Sequence, residues 1–285
     1  MADIPTQALP LAGGSEGAGV RVHPLRTAEM LAPPDFLQRP GGPLWQLRGL
    51  GLHVARSKWM TLPIPCFLVE HPQAGPFLVD TGLHASVARD PAENLGRVAK
   101  LIYRIDMSAQ DAAPAQVRAR GFDPGTIGLV VMTHLHYDHA SGATQFPGAT
   151  FLVERREWDA AQGGGLLQGY HRPHLDPALD WRAIDVDHET DLFGDGSVRL
   201  LHTPGHTPGH LSLLLRLQSG GSLLLTADAA YAKRTLDGRW LPLFVDDETA
   251  YFASLDRLTA LAPEADHVVC GHDPDGLDRA DGVFG

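Results

Sequence analysis

Four side chains able to bind a metal or carry a proton fall within six positions: His134, His136, Asp138 and His139, in the run LVVMTHLHYDHASG. Side-chain direction in an extended segment has period two, so His134 and His136 point the same way. Asp138 and His139 follow where the chain is expected to curl into a helix. One short loop at the end of the apolar strand LVVM can thus offer ligands to two neighbouring metal positions. A merely solvated His-rich loop would seldom join four such residues to a buried strand. Three further candidates close apolar runs: His206, with His202 and His210, in LLHTPGHTPGHLSL; Asp228 in LLLTADAAY; and His272 in HVVCGHD. Taken singly, each reads more readily as structural. Together they form a set, because a rigid scaffold places functional residues on strand-end loops that converge at one edge. Imidazole and carboxylate donors without a thiolate suit Zn2+, and also Co2+, Mn2+ or Fe2+.

The strands that must carry these loops are legible as short apolar runs. They are GLGLHVA (49–55), PCFLVEH (65–71), PFLVD (76–80), GLVVM (128–132), TFLVE (150–154), SVRLL (197–201), LSLLLRL (211–217), SLLLTA (222–227) and HVVC (267–270). Several are Val/Leu runs without alternation, as expected for strands covered by helices. Apolar spacing predicts a helix over 92–104, from Leu95, Val98, Leu101 and Ile102. A second is predicted over 248–262, from Phe252, Leu255, Leu258 and Leu261, with Asp246 or Asp247 as N-cap. Strands in runs with helices between the runs favour a mixed-sheet sandwich with helices outside. Residues 1–20 are rich in Gly, Ala, Pro and Ser, and 31–48 carry Pro33, Pro34, Pro40 and Pro43. Residues 1–45 are therefore expected to be an N-terminal tail, or an arm docking on a partner subunit, and 46–285 a single domain.

Composition removes several classes of function. Lys plus Arg is 23 against 34 Asp plus Glu, a formal charge of −11 over 285 residues. That argues against nucleic acid as partner, since its backbone is bound largely through Lys and Arg. A hydrophobic content of 44% excludes a disordered chain. Cys66 and Cys270 are too few for a disulfide framework and are expected as small buried side chains. No apolar run approaches the ~18 residues of a membrane span. The first residues show neither a basic start nor a sustained apolar block, so the expected compartment is the cytoplasm. The 15 histidines stand out, because His is both a common metal ligand and the side chain that titrates near neutrality.

HLHYDH, TPGHT, the Asp after a strand and the late Gly-His resemble the signature of the metallo-β-lactamase superfamily, over roughly residues 50–273. The resemblance implies an α+β fold, the αβ/βα four-layer sandwich. A finer resemblance, to the dinuclear N-acyl homoserine lactonases, rests on FLVDTG, HLHYDHASG, TPGHTPGHLSL, DAAY and GHD in that order. It implies one metal held by His134, His136 and His206, a second by Asp138, His139 and His272, and Asp228 bridging both. It implies that Asp80 of VDTG orients ligands without binding metal, that Tyr231 donates to the substrate carbonyl oxygen, and that Asp138 shuttles a proton. A hydroxide between two divalent cations, zinc first among them, would then open the ring of an N-acyl homoserine lactone and quench bacterial signalling. Other lactones, aryl esters, organophosphate triesters and glutathione thioesters are the rival substrates for the same fold. A small-molecule lactone is thus the expected partner, with no nucleic acid and no membrane, and a homodimer is the candidate assembly. His202 and His210 fall outside the implied ligand set. Tyr137 is expected at the substrate mouth, and His171, His174 and His188 in solvated loops. Gly205 and Gly209 are expected to let the chain turn tightly near the metals. Segments 56–64 and 92–107 are expected to wall an alkyl-chain groove.

Overall fold

The computed structural model describes residues 3–42, 45–102, 104–277 and 282–285. One sheet contains β1 (Arg21–Ala32), β2 (Met60–His71), β3 (Gly75–Val79), β4 (Arg104–Asp106), β5 (Leu129–Val131), β6 (Thr150–Glu154) and β7 (Asp180–Ile184), in the order β4-β1-β2-β3-β5-β6-β7. The other contains β8 (Glu189–Asp191), β9 (Val198–His202), β10 (Leu211–Arg216), β11 (Ser222–Ala227) and β12 (His267–Cys270), in the order β12-β11-β10-β9-β8. Along the chain lie α1 (Trp45–Gly49), α2 (Pro91–Ile102), α3 (Ala113–Ala119), α4 (Tyr137–Ala140), α5 (Arg155–Gly163), α6 (Lys233–Gly238) and α7 (Glu248–Leu261). None of the helices is long and apolar enough to cross a membrane, among the described residues.

Alternation along the strands builds the layers. Phe67, Val69, Phe77, Val79, Val131 and Leu152 of the first sheet meet Leu200, Leu213, Leu215, Leu223 and Leu225 of the second in one apolar seam. Their neighbours Cys66, Leu68, Leu78, Val130 and Phe151 point the other way, onto Ala113 and Val117 of α3 and Trp158 and Ala161 of α5. On the far side, Leu201, Leu224 and Cys270 pack under Leu236 of α6 and Tyr251, Leu255 and Leu258 of α7. The result is helix, sheet, sheet, helix: the four-layer sandwich implied by the sequence. A fully buried Leu or Phe contributes roughly 1.5–3 kcal/mol, so the seam gives the polar loops at its edge a rigid base.

Parallel pairing brings those loops to one edge. β3 and β5 run parallel with Val79 opposite Val131, so both chains leave the sheet side by side. β11 and β12 do the same in the second sheet, with Ala227 opposite Cys270.

Three expectations are corrected. First, the boundary after residue 45 fails, because β1 lies inside the proposed tail. It pairs along its length with β2, from Arg21 opposite Glu70 to Ala32 opposite Met60. The arm before it docks on its own chain, through Gln7 N–H to the Ala183 carbonyl (2.8 Å), Leu11 N–H to Leu192 (2.7 Å) and Val20 N–H to Arg216 (2.8 Å). Second, 49–55 is not a strand but the end of α1 and a turn, with Gly51 at φ 87° and His53 at φ 62°. Third, the helix over 92–104 is interrupted at Gly96 (φ 82°) and ends at Ile102. The side chains at 98, 101 and 102, and residue 43, lie outside the described residues. By contrast, α7 starts where its N-cap was expected: Asp247 accepts the N–H groups of Thr249 (2.8 Å) and Ala250 (3.0 Å).

Candidate metal centre

The loop after β5 begins the site. Thr133 and His134 lie in the loop just past the strand, His136 is the N-cap of α4, and Asp138 and His139 lie in that short helix. The loop between β9 and β10 brings His206, the residue after β11 is Asp228, and His272 follows β12. All seven expected ligand residues are buried. Their donor atoms fall into three tight groups, within 4.8 Å in each: His134, His136 and His206; His134, His139 and Asp228; Asp138, His139 and His272. Asp228 stands at the centre. Its Oδ1 lies 3.4 Å from His139 Nε2, and its Oδ2 lies 3.3 Å from His272 Nε2, 3.4 Å from His206 Nε2 and 3.8 Å from His134 Nε2. Asp138 Oδ2 is 3.7 Å from His272 Nε2 and 4.0 Å from His139 Nε2.

The outward ring nitrogens fix which atoms face this centre. His206 Nδ1 donates to the Phe244 carbonyl (3.0 Å) and His272 Nδ1 to the Pro63 carbonyl (2.8 Å). A carbonyl only accepts, so each neutral ring turns a lone pair inward from Nε2. Thr133 Oγ1 donates to Asp80 Oδ2 (2.7 Å) and accepts from His134 Nδ1 (3.0 Å), with the same consequence for His134. His139 Nδ1 meets Asp80 Oδ2 at 2.8 Å. His134 Nε2, His139 Nε2 and Asp228 Oδ1 are buried with no hydrogen-bond partner. Buried polar atoms are ordinarily satisfied, so these three unpartnered atoms, converging with the other ligand candidates, fit a bound cation. The chemistry of the donor set, five imidazoles and two carboxylates, fits divalent metal.

Burial holds His134 well below the usual imidazole range and takes His136 and His206 down to about 3. These rings are neutral, as ligands must be. His139 and His272 move the other way: burial lowers them, but the Asp228 carboxylate, with Asp80 and Asp138 also beside His139 and Asp138 beside His272, outweighs it. For Asp228, burial opposes ionisation, yet His272 and His139 hold its carboxyl well below the carboxylate range. Burial raises Asp138.

Backbone geometry serves these contacts. Asp80 has φ 60° and is locked there by the Thr133 N–H (2.8 Å) on Oδ1 and the Thr133 hydroxyl and His139 ring on Oδ2. A residue in this conformation persists only where its surroundings over-determine it. Gly271 lies so close to Asp228 that a Cβ would sit 2.5 Å from Oδ1.

Tyr231 is buried beside the centre, its ring edge-on to His272 (5.1 Å) and His206 (5.6 Å) and stacked on Phe36 at 5.5 Å. Tyr137, Tyr231, Phe36 and Phe244 line the space directly above Asp138, Asp228 and His272. A larger cavity of about 360 Å3 opens beside His136 and His206, bounded by Arg39, Trp45, Tyr170 and Leu243 among others. Segments 56–64 and 92–107 line neither space among the described residues. Trp59 instead borders a shallow groove with Leu50 and the outer side of Phe36.

The remaining histidines separate. His210 supports the centre, accepting the Asp228 N–H at Nε2 (3.0 Å) and meeting Thr203 Oγ1 at Nδ1 (2.9 Å). His202 donates to the Pro208 carbonyl (3.1 Å), and His188 is exposed. His171 is half-buried, and His174 is buried against Asn94 Oδ1 (3.0 Å) rather than solvated. Sequence reasoning passed over Phe36, hidden in a Pro-rich stretch, and Glu157, fully buried in the first turn of α5. An acidic residue three positions after the buried strand TFLVE was the available signal for Glu157.

Comparison with known proteins agrees with this geometry. A sequence profile of the metallo-beta-lactamase superfamily matches residues 59–272. The chain is 39% identical over 224 residues to the N-acyl homoserine lactonase AttM of Azorhizobium caulinodans, covering 75% of this chain and 83% of that protein. It is 33% identical over 217 residues to an N-acyl homoserine lactonase of Bacillus cereus, covering 75% and 82%. Among solved structures, it is similar to an N-acyl homoserine lactone hydrolase holding the product N-hexanoyl-L-homoserine at its catalytic metal centre, with a TM-score of 0.73 and 25% identity over 93% of this chain and 95% of that one.

Proposed function

The chain belongs to the metallo-β-lactamase superfamily, and from that premise we propose that it hydrolyses the ring ester of N-acyl homoserine lactones and so quenches bacterial quorum signals. The observation that carries the reading is the set of buried donors converging on Asp228 with a tyrosine ring packed against them. In this reading His134, His136 and His206 hold one divalent metal, and Asp138, His139 and His272 a second. Asp228 lies between the two. Zinc suits these donors best, with Co2+, Mn2+ and Fe2+ compatible. Two such cations, when bound, supply an activated water and positive charge where the carbonyl oxygen becomes an oxyanion.

The chain's own residues do the rest. The Tyr231 hydroxyl donates to the carbonyl oxygen as charge develops on it. Asp138, as the carboxylate, takes the proton from the attacking water and delivers it to the ring oxygen as the C–O bond breaks. Phe36 and Phe244 cover the reacting atoms and exclude bulk water. The cavity beside His136 and His206, walled by Trp45, Tyr170, Leu243 and Phe244, receives the acyl chain.

A substrate panel on metal-replete protein tests this: homoserine lactones of several chain lengths, simple lactones, aryl esters, a phosphotriester and a glutathione thioester. N-acyl homoserine lactones are expected to give the highest kcat/KM, at least about tenfold above acyclic esters of similar size, which is about 1.4 kcal/mol of transition-state stabilisation. Phosphotriester or glutathione thioester turnover a hundredfold faster than any lactone would replace the substrate assignment.

A further inference from the structure

Glu157 does not face the reacting centre, yet it touches both loops that build one half of it. Its Oε1 accepts the Leu135 N–H at 2.8 Å, and Leu135 is the residue between His134 and His136. The same oxygen accepts the Tyr170 hydroxyl at 3.2 Å, and the Tyr170 ring packs edge-on against His136 at 5.1 Å. Its Oε2 accepts the Gly209 N–H at 3.2 Å, in the loop that carries His206. The side chain is fully buried, with 0% exposure. The contact on the second loop is also steric: a Cβ on Gly209 would lie 2.2 Å from the Glu157 nitrogen and 2.5 Å from its Cβ. The second glycine of TPGHTPGH therefore lets the first turn of α5 close against the loop.

Asp80 supplies the counterpart. It holds Thr133 and the His139 ring and, among the described residues, makes no hydrogen bond to the His206 loop. Asp80 thus reaches His139 directly and His134 through Thr133, whereas the links beside His136 and across to the His206 loop run through Glu157. We propose that Glu157 is the positioning residue of the His134–His136–His206 half, clamping the two loops at the separation that half requires. This rests on the two-metal reading given above. Ligand placement by groups behind the ligands is worth about 10–100-fold in metal affinity, so the effect is expected at one site and not at both.

The test is metal stoichiometry and stepwise zinc release to a competing chelator for wild type, Glu157→Ala, Glu157→Gln and Gly209→Ala, with circular dichroism and Tm recorded on each. Wild type is expected to hold about two equivalents, with Glu157→Ala near one and its lost site weakened about 10–100-fold. Glu157→Gln keeps an accepting oxygen and is expected between the two. Gly209→Ala, which pushes α5 off the loop, is expected to mimic Glu157→Ala. Should Glu157→Ala fail to fold, the Gln variant carries the comparison. Variants that bind two zinc ions with wild-type affinities overturn the inference, as does equal weakening of both sites alongside a matching fall in Tm. Wild type that takes up fewer than two equivalents overturns instead the two-metal reading beneath it.

Discussion

At the scale of single residues, Tyr231 and Asp195 make separable predictions. Tyr231→Phe keeps the ring on Phe36 and His272 and removes only the hydroxyl. Loss of one oxyanion donor costs on the order of 10²–10³ in rate where donors act alone. Beside bound cations the expected fall in kcat is smaller, roughly 5- to 100-fold, or about 1–3 kcal/mol, with metal content unchanged. Wild-type kcat in the Phe variant would remove Tyr231 from the reaction. Asp195 concerns stability. Burial opposes its charge, but hydrogen bonds from Ser197, the Ser15 N–H and the His71 ring outweigh that and bring its carboxyl down to about 2. A depressed carboxyl stabilises the fold above its unfolded value near 3.9 and loses that contribution as pH falls toward 2. Asp195→Asn is therefore expected to cost about 1–3 kcal/mol at pH 7, by urea unfolding, with the gap narrowing between pH 4 and 3. A gap independent of pH would refute the charge argument. Ser197 Oγ and Asp195 Oδ2 both meet the same His71 nitrogen, Nε2, at 3.1 and 3.0 Å, while Nδ1 accepts the N–H of Ala74. No serine nucleophile is activated there; the trio ties the end of β2 to the loop before β9, and Asp195 also takes the Ser15 N–H of the arm.

Secondary-structure elements deliver the site only where glycine permits. Gly205 has φ 126°, and a Cβ on it would sit 2.1 Å from the backbone nitrogen of Tyr251 in α7. Gly205→Ala combines left-handed strain with a backbone clash and is expected to lower stability by about 2–4 kcal/mol. Thermal unfolding checks it, and an unchanged Tm would show that α7 moves aside freely. The seven proposed ligand residues could be picked out because each follows an apolar run, and a strand end fixes direction and place together. The strands and helix next to them were less legible. β1 carries Pro24, Arg26 and Glu29, which break an apolar reading. Pro24 is tolerated because, among the described residues, β4 reaches only Glu29 to Leu31 and Phe284 only Val22, so no ladder bond falls on Pro24 on that side of β1. The alternation in GLGLHVA misled for the opposite reason. Leu50 and Leu52 are exposed, and Gly51 is spent on the Trp59 ring, which a Cβ would meet at 2.1 Å. Glu157 carried no motif, since its role comes from two loops far apart in sequence.

For the molecule as a whole, the proposed ligands are drawn from both sheets: His134, His136, Asp138 and His139 follow β5 of the first, and His206, Asp228 and His272 follow strands of the second. Metal bound to that set stabilises the native state by mass action, about 2.7 kcal/mol per site at a hundredfold excess over Kd. With two sites emptied, chelation is therefore expected to lower Tm by roughly 10–20 °C, reversed by added zinc. An unchanged Tm after complete metal removal would mean the centre contributes nothing to holding the sheets together.

The same division of donors has a kinetic reading. Neither sheet alone owns a full set for either metal position, so a chain with both sheets formed but undocked has nothing to chelate with at native strength. Zinc uptake during refolding then counts only molecules whose halves have met. A zinc indicator mixed with the refolding chain becomes a clock for docking, separate from the circular dichroism signal that times the strands and helices themselves.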